Sequence, residues 1–239
     1  MRLAPEAVFR ANGSVRSGGF GPNRLAGMLG AMMIDPWAAV DPVWRPCFEL
    51  AWESFQVGSL AVGAVLVDGT GSIVSAGRNR RNEQPEVRGQ LSGSSVAHAE
   101  INALAMLPVA DYPDHVLYTT LEPCLLCTAA LRLSHIGTVR FAAPDPLWYG
   151  MDRIPELNHN VARRWTRREG PLHGPLRVWA EVLPLTSIVE RALRSMLDAY
   201  ARTSPGMVEL AQKLTPRIGE LRRLHLDQAL DAVWGDLTF

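Results

Sequence analysis

Apolar and polar residues follow one another in blocks along this chain, and the period changes from block to block. Between Asp41 and about Gln56, the apolar positions Val43, Cys47, Leu50, Ala51 and Phe55 recur at helical spacing. Asp41-Pro42 reads as the start of that helix, with Asp as N-cap and Pro in the first turn. Leu60 to Val67 is a continuous valine-rich apolar run, the pattern of a strand covered on both faces. The turn signal Asp68-Gly69-Thr70-Gly71 and the strand-like Ser72 to Ala76 complete a β-hairpin. Arg78 to Ser95 is polar and reads as a loop, of a length that inside a compact domain is often functional.

The pattern then predicts a helix over Val96 to Leu107, stopped by Pro108, a strand over Val116 to Leu121, a helix over Pro123 to Ser134 and a strand over Thr138 to Ala142. This order implies a parallel, right-handed crossover. Ala143 to Gly150 reads as a loop, Ile154 to Arg168 as a helix with an arginine-rich face, and Leu176 to Leu183 as a fifth strand. Helices over about 185–202 and 206–232 follow. Residues 1–40, rich in Gly, Ser and Asn between Ala11 and Pro22, are expected to form an N-terminal extension. The expected division is 1–40, a central domain over 41–184, and a helical extension over 185–239.

With 239 residues, 47% of them hydrophobic and 20% charged, the chain carries enough apolar material for a real core. Lys+Arg and Asp+Glu are 24 each. A zero net charge argues against a general nucleic-acid binder, whose phosphate contacts demand a basic excess. No nucleic-acid partner is therefore expected. The cluster Arg163, Arg164, Arg167 and Arg168 is read as a solvated helix face in preference to an RNA patch. No segment reaches the roughly 18 apolar residues of a membrane helix, no signal peptide is read, and the expected location is cytoplasmic. Three cysteines do not make a disulfide framework.

Two of the cysteines carry the chemistry. Ala97-His98-Ala99-Glu100 and Pro123-Cys124-Leu125-Leu126-Cys127 give H-x-E followed by P-C-x-x-C. Zinc favours imidazole nitrogen and thiolate sulfur, and His98, Cys124 and Cys127 all fall at the starts of expected helices. Helix N-termini favour the thiolate form. Three ligands leave a fourth position for water, the catalytic arrangement, and zinc lowers that water's pKa to roughly 7. Glu100, two residues from His98, suits a general base and then a general acid, a role contributing ~10²–10⁴-fold in rate. Two other readings stand beside this one. A redox C-x-x-C pair has no use for His98 and Glu100. A structural zinc needs a fourth ligand, for which Cys47, His115 and His135 are the candidates, none at ligand-like spacing; Cys47 sits on the helix stripe and reads as core.

The motif H-x-E with P-C-x-x-C is the signature of zinc-dependent deaminases. The sequence resembles the cytidine/deoxycytidylate deaminase superfamily, in the branch that includes tRNA adenosine deaminases and bacterial guanine deaminases. Ala61 to Val67, His98 to Leu104, Leu117 to Cys124 and Ile136 to Phe141 carry the resemblance, which covers about residues 41–184. It implies a three-layer α/β/α cytidine-deaminase-like fold with a five-stranded mixed sheet, here with extra C-terminal helices. It implies a Zn²⁺ cofactor on His98, Cys124 and Cys127, Glu100 as proton shuttle, and a homodimer. It further implies substrate contacts from Asn79, from the backbone of Ala99 and from the Leu121-Glu122-Pro123 turn. Trp148 and Tyr149, in a loop that departs from the tRNA-acting members, are candidates for stacking on a base. The expected activity is hydrolytic deamination of a free nucleobase or nucleoside, a purine such as guanine being preferred. The competing readings are tRNA adenosine deamination, deamination of a cytosine nucleoside or nucleotide, a non-catalytic zinc scaffold and an RNA-binding module.

Overall fold

The fold is known from a computed structural model that describes residues 35–84 and 87–238. The expected extension over 1–40 lies outside the described residues up to position 34. From there the chain packs onto the domain, with Trp37 meeting the edge of Phe48 at 5.5 Å between ring centroids.

The Asp41 carboxylate accepts the Val43 N–H at 3.0 Å and shapes the entry to helix α1, Trp44–Gln56. Strand β1, Gly63–Val67, and strand β2, Ile73–Arg78, form the expected antiparallel hairpin, with Asp68 accepting from Thr70 and Ser72 in the turn. Helix α2, Ala99–Leu104, is shorter than its apolar block. Strand β3, Val116–Leu121, helix α3, Leu125–Leu133, and strand β4, Thr138–Ala143, follow the pattern closely. The sheet runs β2-β1-β3-β4-β5, antiparallel in its first two pairings and parallel in its last two.

The two faces of the hairpin are set by side-chain size. Gly63 pairs with Arg78 across the hairpin, and a Cβ on Gly63 would strike the α1 backbone at Cys47 and Ala51. Its neighbour Ala64 pairs with Gly77, where a Cβ would strike α2 at Ala99 and Ala103. Alternate residues therefore seat α1 on one face and α2 on the other. Ser75, on the same face as Gly77, donates its hydroxyl to the Ala103 carbonyl and ties α2 down. Cys47 is wholly buried and donates to the Gly63 carbonyl at 3.0 Å, so it is a core residue and no ligand.

The C-terminal third departs from the pattern. Residues 154–168 form two four-residue helices, α4 (Ile154–Leu157) and α5 (His159–Ala162), and the true fifth strand β5 is Arg167–Glu169. The expected arginine-rich helix face does not exist. Arg164 pairs with Asp111 and Arg167 with Glu169, while Arg168 is buried between Glu122 and Asp152. Leu176 to Leu183 is not a strand but the first half of helix α6, Pro175–Glu190. Its run of apolar residues is buried all round, and a helix buried on every side has no periodicity to distinguish it from a covered strand. Trp179 in α6 packs on Trp52 of α1 at 5.9 Å, so α6 and α1 share one face of the sheet. Helices α7 (Arg194–Thr203), α8 (Pro205–Leu214), α9 (Ile218–Leu221) and α10 (Leu226–Val233) complete the chain. Pro36–Phe239 form one compact unit, and Pro184, where a domain boundary was expected, lies inside α6. No helix among the described residues is long and apolar enough to cross a membrane.

Candidate metal centre and substrate cavity

His98 and Cys124 occupy equivalent positions: each is the extended N-cap residue of a helix, α2 and α3 respectively. The unpaired N–H groups and positive end of a helix thus lie beside each ligand. Cys127, in the first turn of α3, points the same way. Cys124 Sγ lies 3.5 Å from His98 Nδ1, Cys127 Sγ lies 3.4 Å from it, and the two sulfurs are 3.7 Å apart. A tetrahedral zinc with bonds of about 2.3 Å to sulfur and 2.0–2.1 Å to nitrogen needs separations of about 3.5 Å and about 3.8 Å. The donor set fits Zn²⁺ in kind and in spacing. It is the only such cluster among the described residues. His135, a candidate fourth ligand, is occupied by Asp111 and Arg164.

The electrostatics support a thiolate. Hydrogen bonds from Cys127 and the His98 imidazole bring the Cys124 thiol down to about 4, and hydrogen bonding to Cys124 in turn raises His98. Hydrogen bonding to Cys124 and burial hold the Cys127 thiol well above its ordinary value. Glu100 is 4% exposed, and burial raises its carboxyl above the usual carboxylate range. Its Oε2 lies 3.4 Å from Cys127 Sγ, and its Oε1 accepts from the Thr119 hydroxyl at 3.3 Å. A carboxylate buried against the ligand cluster, held on one oxygen and readily protonated, is equipped to move a proton.

The cluster opens into a cavity of about 190 Å³. That is smaller than the ~300–1,000 Å³ of sites for drug-sized ligands, so it admits about one ring system. Of the expected substrate contacts, Asn79 and Trp148 line it. Asn79 Oδ1 accepts the Arg81 N–H at 3.1 Å, and its Nδ2 has no acceptor among the described residues, which leaves it as a donor to a ligand. Ala99 is wholly buried and packs its backbone against Gly77. Tyr149 is 96% exposed and does not line the cavity. It follows the turn Pro146–Trp148, which directs Trp148 inward and the next side chain to solvent.

Several residues of the site escape the sequence pattern. Thr119 is one, although a wholly buried hydroxyl in the middle of an apolar strand is a visible signal. Asp145 is another. It lines the cavity, caps the Pro146–Trp148 turn through the Leu147 N–H, and accepts the Tyr200 hydroxyl at 2.8 Å. Burial pushes its carboxyl to about 6. Glu122, paired with Arg168 at 2.6 Å, accepts the Asp145 N–H and holds this loop. The far wall is built by Pro184 and Ile188 of α6 and Met196 and Tyr200 of α7, so the C-terminal helices cover the pocket. The loop after β2 is fastened from below: the wholly buried Asn102 accepts the Leu91 N–H at 2.7 Å and donates to the Leu91 and Arg78 carbonyls.

Three side chains that could hold a metal ion thus lie beside a buried carboxylate at a small cavity, the arrangement a hydrolytic zinc site needs. Residues 41–143 match the cytidine and deoxycytidylate deaminase zinc-binding region. A tRNA-specific adenosine deaminase of Aquifex aeolicus is 34% identical over 121 residues, 46% of this chain and 74% of that protein. One from Haemophilus influenzae is 35% identical over 109 residues, 44% of this chain and 58% of that protein. A cytosine deaminase of Candida albicans is 30% identical over 88 residues, 36% of this chain and 53% of that protein. The chain belongs to the cytidine and deoxycytidylate deaminase family. The expectation of no nucleic-acid partner is overturned by these relatives, two of which are named for action on tRNA. Net charge sums over the whole surface and does not report the charge at the mouth of one cavity.

Proposed function

We propose that this chain is a zinc-dependent hydrolytic deaminase of a nucleobase, and that the base is the adenine of an adenosine carried in tRNA. The observation that carries the reaction is Glu100: a buried carboxylate 3.4 Å from a ligand sulfur, with its other oxygen held by Thr119. The tRNA substrate rests on the relatives. What zinc supplies when bound is Lewis acidity, which brings a water's pKa to roughly 7. Asn79 Nδ2 donates to the base and orients it, while Trp148 and Ile188 exclude bulk water. Glu100 takes one proton of the attacking water and gives it to the ring nitrogen, then takes the remaining hydroxyl proton and passes it to the departing amine as the carbon–nitrogen bond breaks. Water and the amino-substituted base are consumed, and the oxo base and ammonia are released.

A second reading, a free purine base or nucleoside such as guanine, is favoured by one observation. The cavity beside Glu100, about 190 Å³ with Ile188 of α6 and Met196 and Tyr200 of α7 on its wall, is of a size for a single free base. Ammonia release by the zinc-loaded protein separates the two. The panel is an anticodon hairpin, adenosine, guanine, guanosine, cytosine and deoxycytidine monophosphate. Turnover of the hairpin alone supports the first reading, and turnover of guanine or guanosine the second. In Glu100→Gln the rate should fall ~10²–10⁴-fold with zinc retained; full activity in that variant would sink the mechanism. The homodimer implied by the resemblance finds support in Leu125, Leu126 and Leu133, all exposed on α3, and sedimentation equilibrium measures it.

A further inference from the structure

Outside the base-sized cavity lies a second one, of about 410 Å³. The two share walls, including Asn79, Arg81, His98 and Ile188. The outer cavity differs in charge. It is lined by Arg81 and Arg191, and no carboxylate lines it among the described residues.

Among the described residues, most arginines are paired with a carboxylate, Arg78, Arg80, Arg140, Arg168 and Arg222 among them. Neither Arg81 nor Arg191 has such a partner among the described residues. Arg191 nevertheless has a fixed place. From the C-terminal end of α6 its Nη2 donates to the Gly58 carbonyl at 2.6 Å, and the same carbonyl accepts from Asn82 Nδ2 at 3.1 Å. The rest of its guanidinium fork stays free. Ser187, one turn before Arg191, also lines the cavity, and its hydroxyl is buried without a hydrogen-bond partner. Buried hydroxyls are almost always bonded, so an orphan one in a ligand-sized cavity points to a ligand acceptor. Two unpaired guanidinium groups and a free hydroxyl suit an oxyanion with several acceptor oxygens, and arginine's planar fork matches phosphate.

We infer that the outer cavity is a phosphate subsite, built by Arg81, Arg191 and Ser187, for the phosphate ester of a nucleotide whose base enters the inner cavity. The inference rests on the deaminase reading for the identity of the base. It assigns to α6 a part in substrate choice. The phosphate comes from either of two sources, a free mononucleotide or the backbone of an RNA.

The test is isothermal titration of the zinc-loaded full chain, carrying Glu100→Gln to suppress turnover. Ligands are adenosine with adenosine 5′-monophosphate, guanosine with guanosine 5′-monophosphate, cytidine with cytidine 5′-monophosphate, and an anticodon hairpin, with inorganic phosphate as competitor. A phosphorylated ligand should bind at least about tenfold more tightly than its phosphate-free counterpart, and that advantage should fall about tenfold with each of Arg81→Gln and Arg191→Gln. Arg191→Lys should recover part of it, since charge returns without the fork. Both arginines are exposed, so the variants keep the fold, and Arg153→Gln, remote and paired with Glu156, is the matched control. Preference for a mononucleotide fixes the free source. Preference for the hairpin, with a steep salt dependence, fixes the RNA backbone. The inference is overturned if no phosphorylated ligand is favoured, or if the advantage survives in the double variant. Ammonia release by the wild type is read separately. Phosphate-dependent binding without ammonia from any ligand would discard the reaction and keep the subsite. Ammonia release without phosphate preference would do the reverse.

Discussion

Adding one methyl group at Gly77 should damage the metal centre from the far side of α2. Gly77 is in β2, and a Cβ there would lie 2.4 Å from both Ala99 O and Ala103 N. Ordinary contact begins at 3.4 Å, so α2 and β2 must separate by about 1 Å. Ala99 follows His98 directly, and Asn102 and Ser75 fasten the helix to the same strand. The shift therefore passes to the His98 ring and to Glu100. Metal sites tolerate about 0.2 Å in ligand distances, several times less than this displacement. Overpacking itself costs ~1–3 kcal/mol. For a chain of this size, Gly77→Ala should lower the Tm by roughly 2–12 °C and weaken zinc at least about tenfold, comparable to losing a group that orients a ligand. The assay is competition for zinc with a chromophoric chelator, together with thermal unfolding followed by circular dichroism. Gly219→Ala, in α9 with open space around its Cβ, is the matched control. Wild-type zinc affinity and Tm in Gly77→Ala would refute the claim that this close approach seats the ligand.

Two further outcomes follow from the site. Cys124→Ser should purify with almost no zinc, whereas Cys47→Ala should keep it and lose about 1 kcal/mol of stability, because Cys47 donates to the Gly63 carbonyl inside the core; metal analysis and urea unfolding check both. Asp145, raised by burial from 3.8 to about 6, holds its proton more tightly folded than unfolded. Its contribution to stability is full below about pH 4 and is lost as pH rises through about 6. Wild type relative to Asp145→Asn should thus lose roughly 2 kcal/mol between about pH 4.5 and about pH 7.5, and a flat difference would show that burial does not hold the proton.

The metal centre was legible because its residues are close in sequence and at helix starts: two short motifs specify His98, Glu100, Cys124 and Cys127. The strands β1, β3 and β4 were legible as apolar runs with clear borders. What covers the site was not. The Asp145–Tyr200 bond spans 55 residues and the Arg168–Glu122 pair 46, and no local period encodes such contacts. A solvated face was expected for Arg168 because Glu169 is near and the net charge is zero, yet its partners come from β3's end and from the turn before α4. The misreading of α6 has the same root, since an element buried on all sides presents no polar face to count.

The placement of α6 and α7 over the cavity divides the enzyme's labour along the chain. The candidate metal ligands and Glu100 all lie within residues 41–143, while one wall of the inner cavity and one of the two arginines of the outer cavity come from residues after 183. Change in the later stretch would reshape that wall without touching His98, Glu100, Cys124 or Cys127. The same arrangement makes the two stretches inseparable as a folded object, because Trp179 of the later one fills the hydrophobic layer against Trp52 of the earlier.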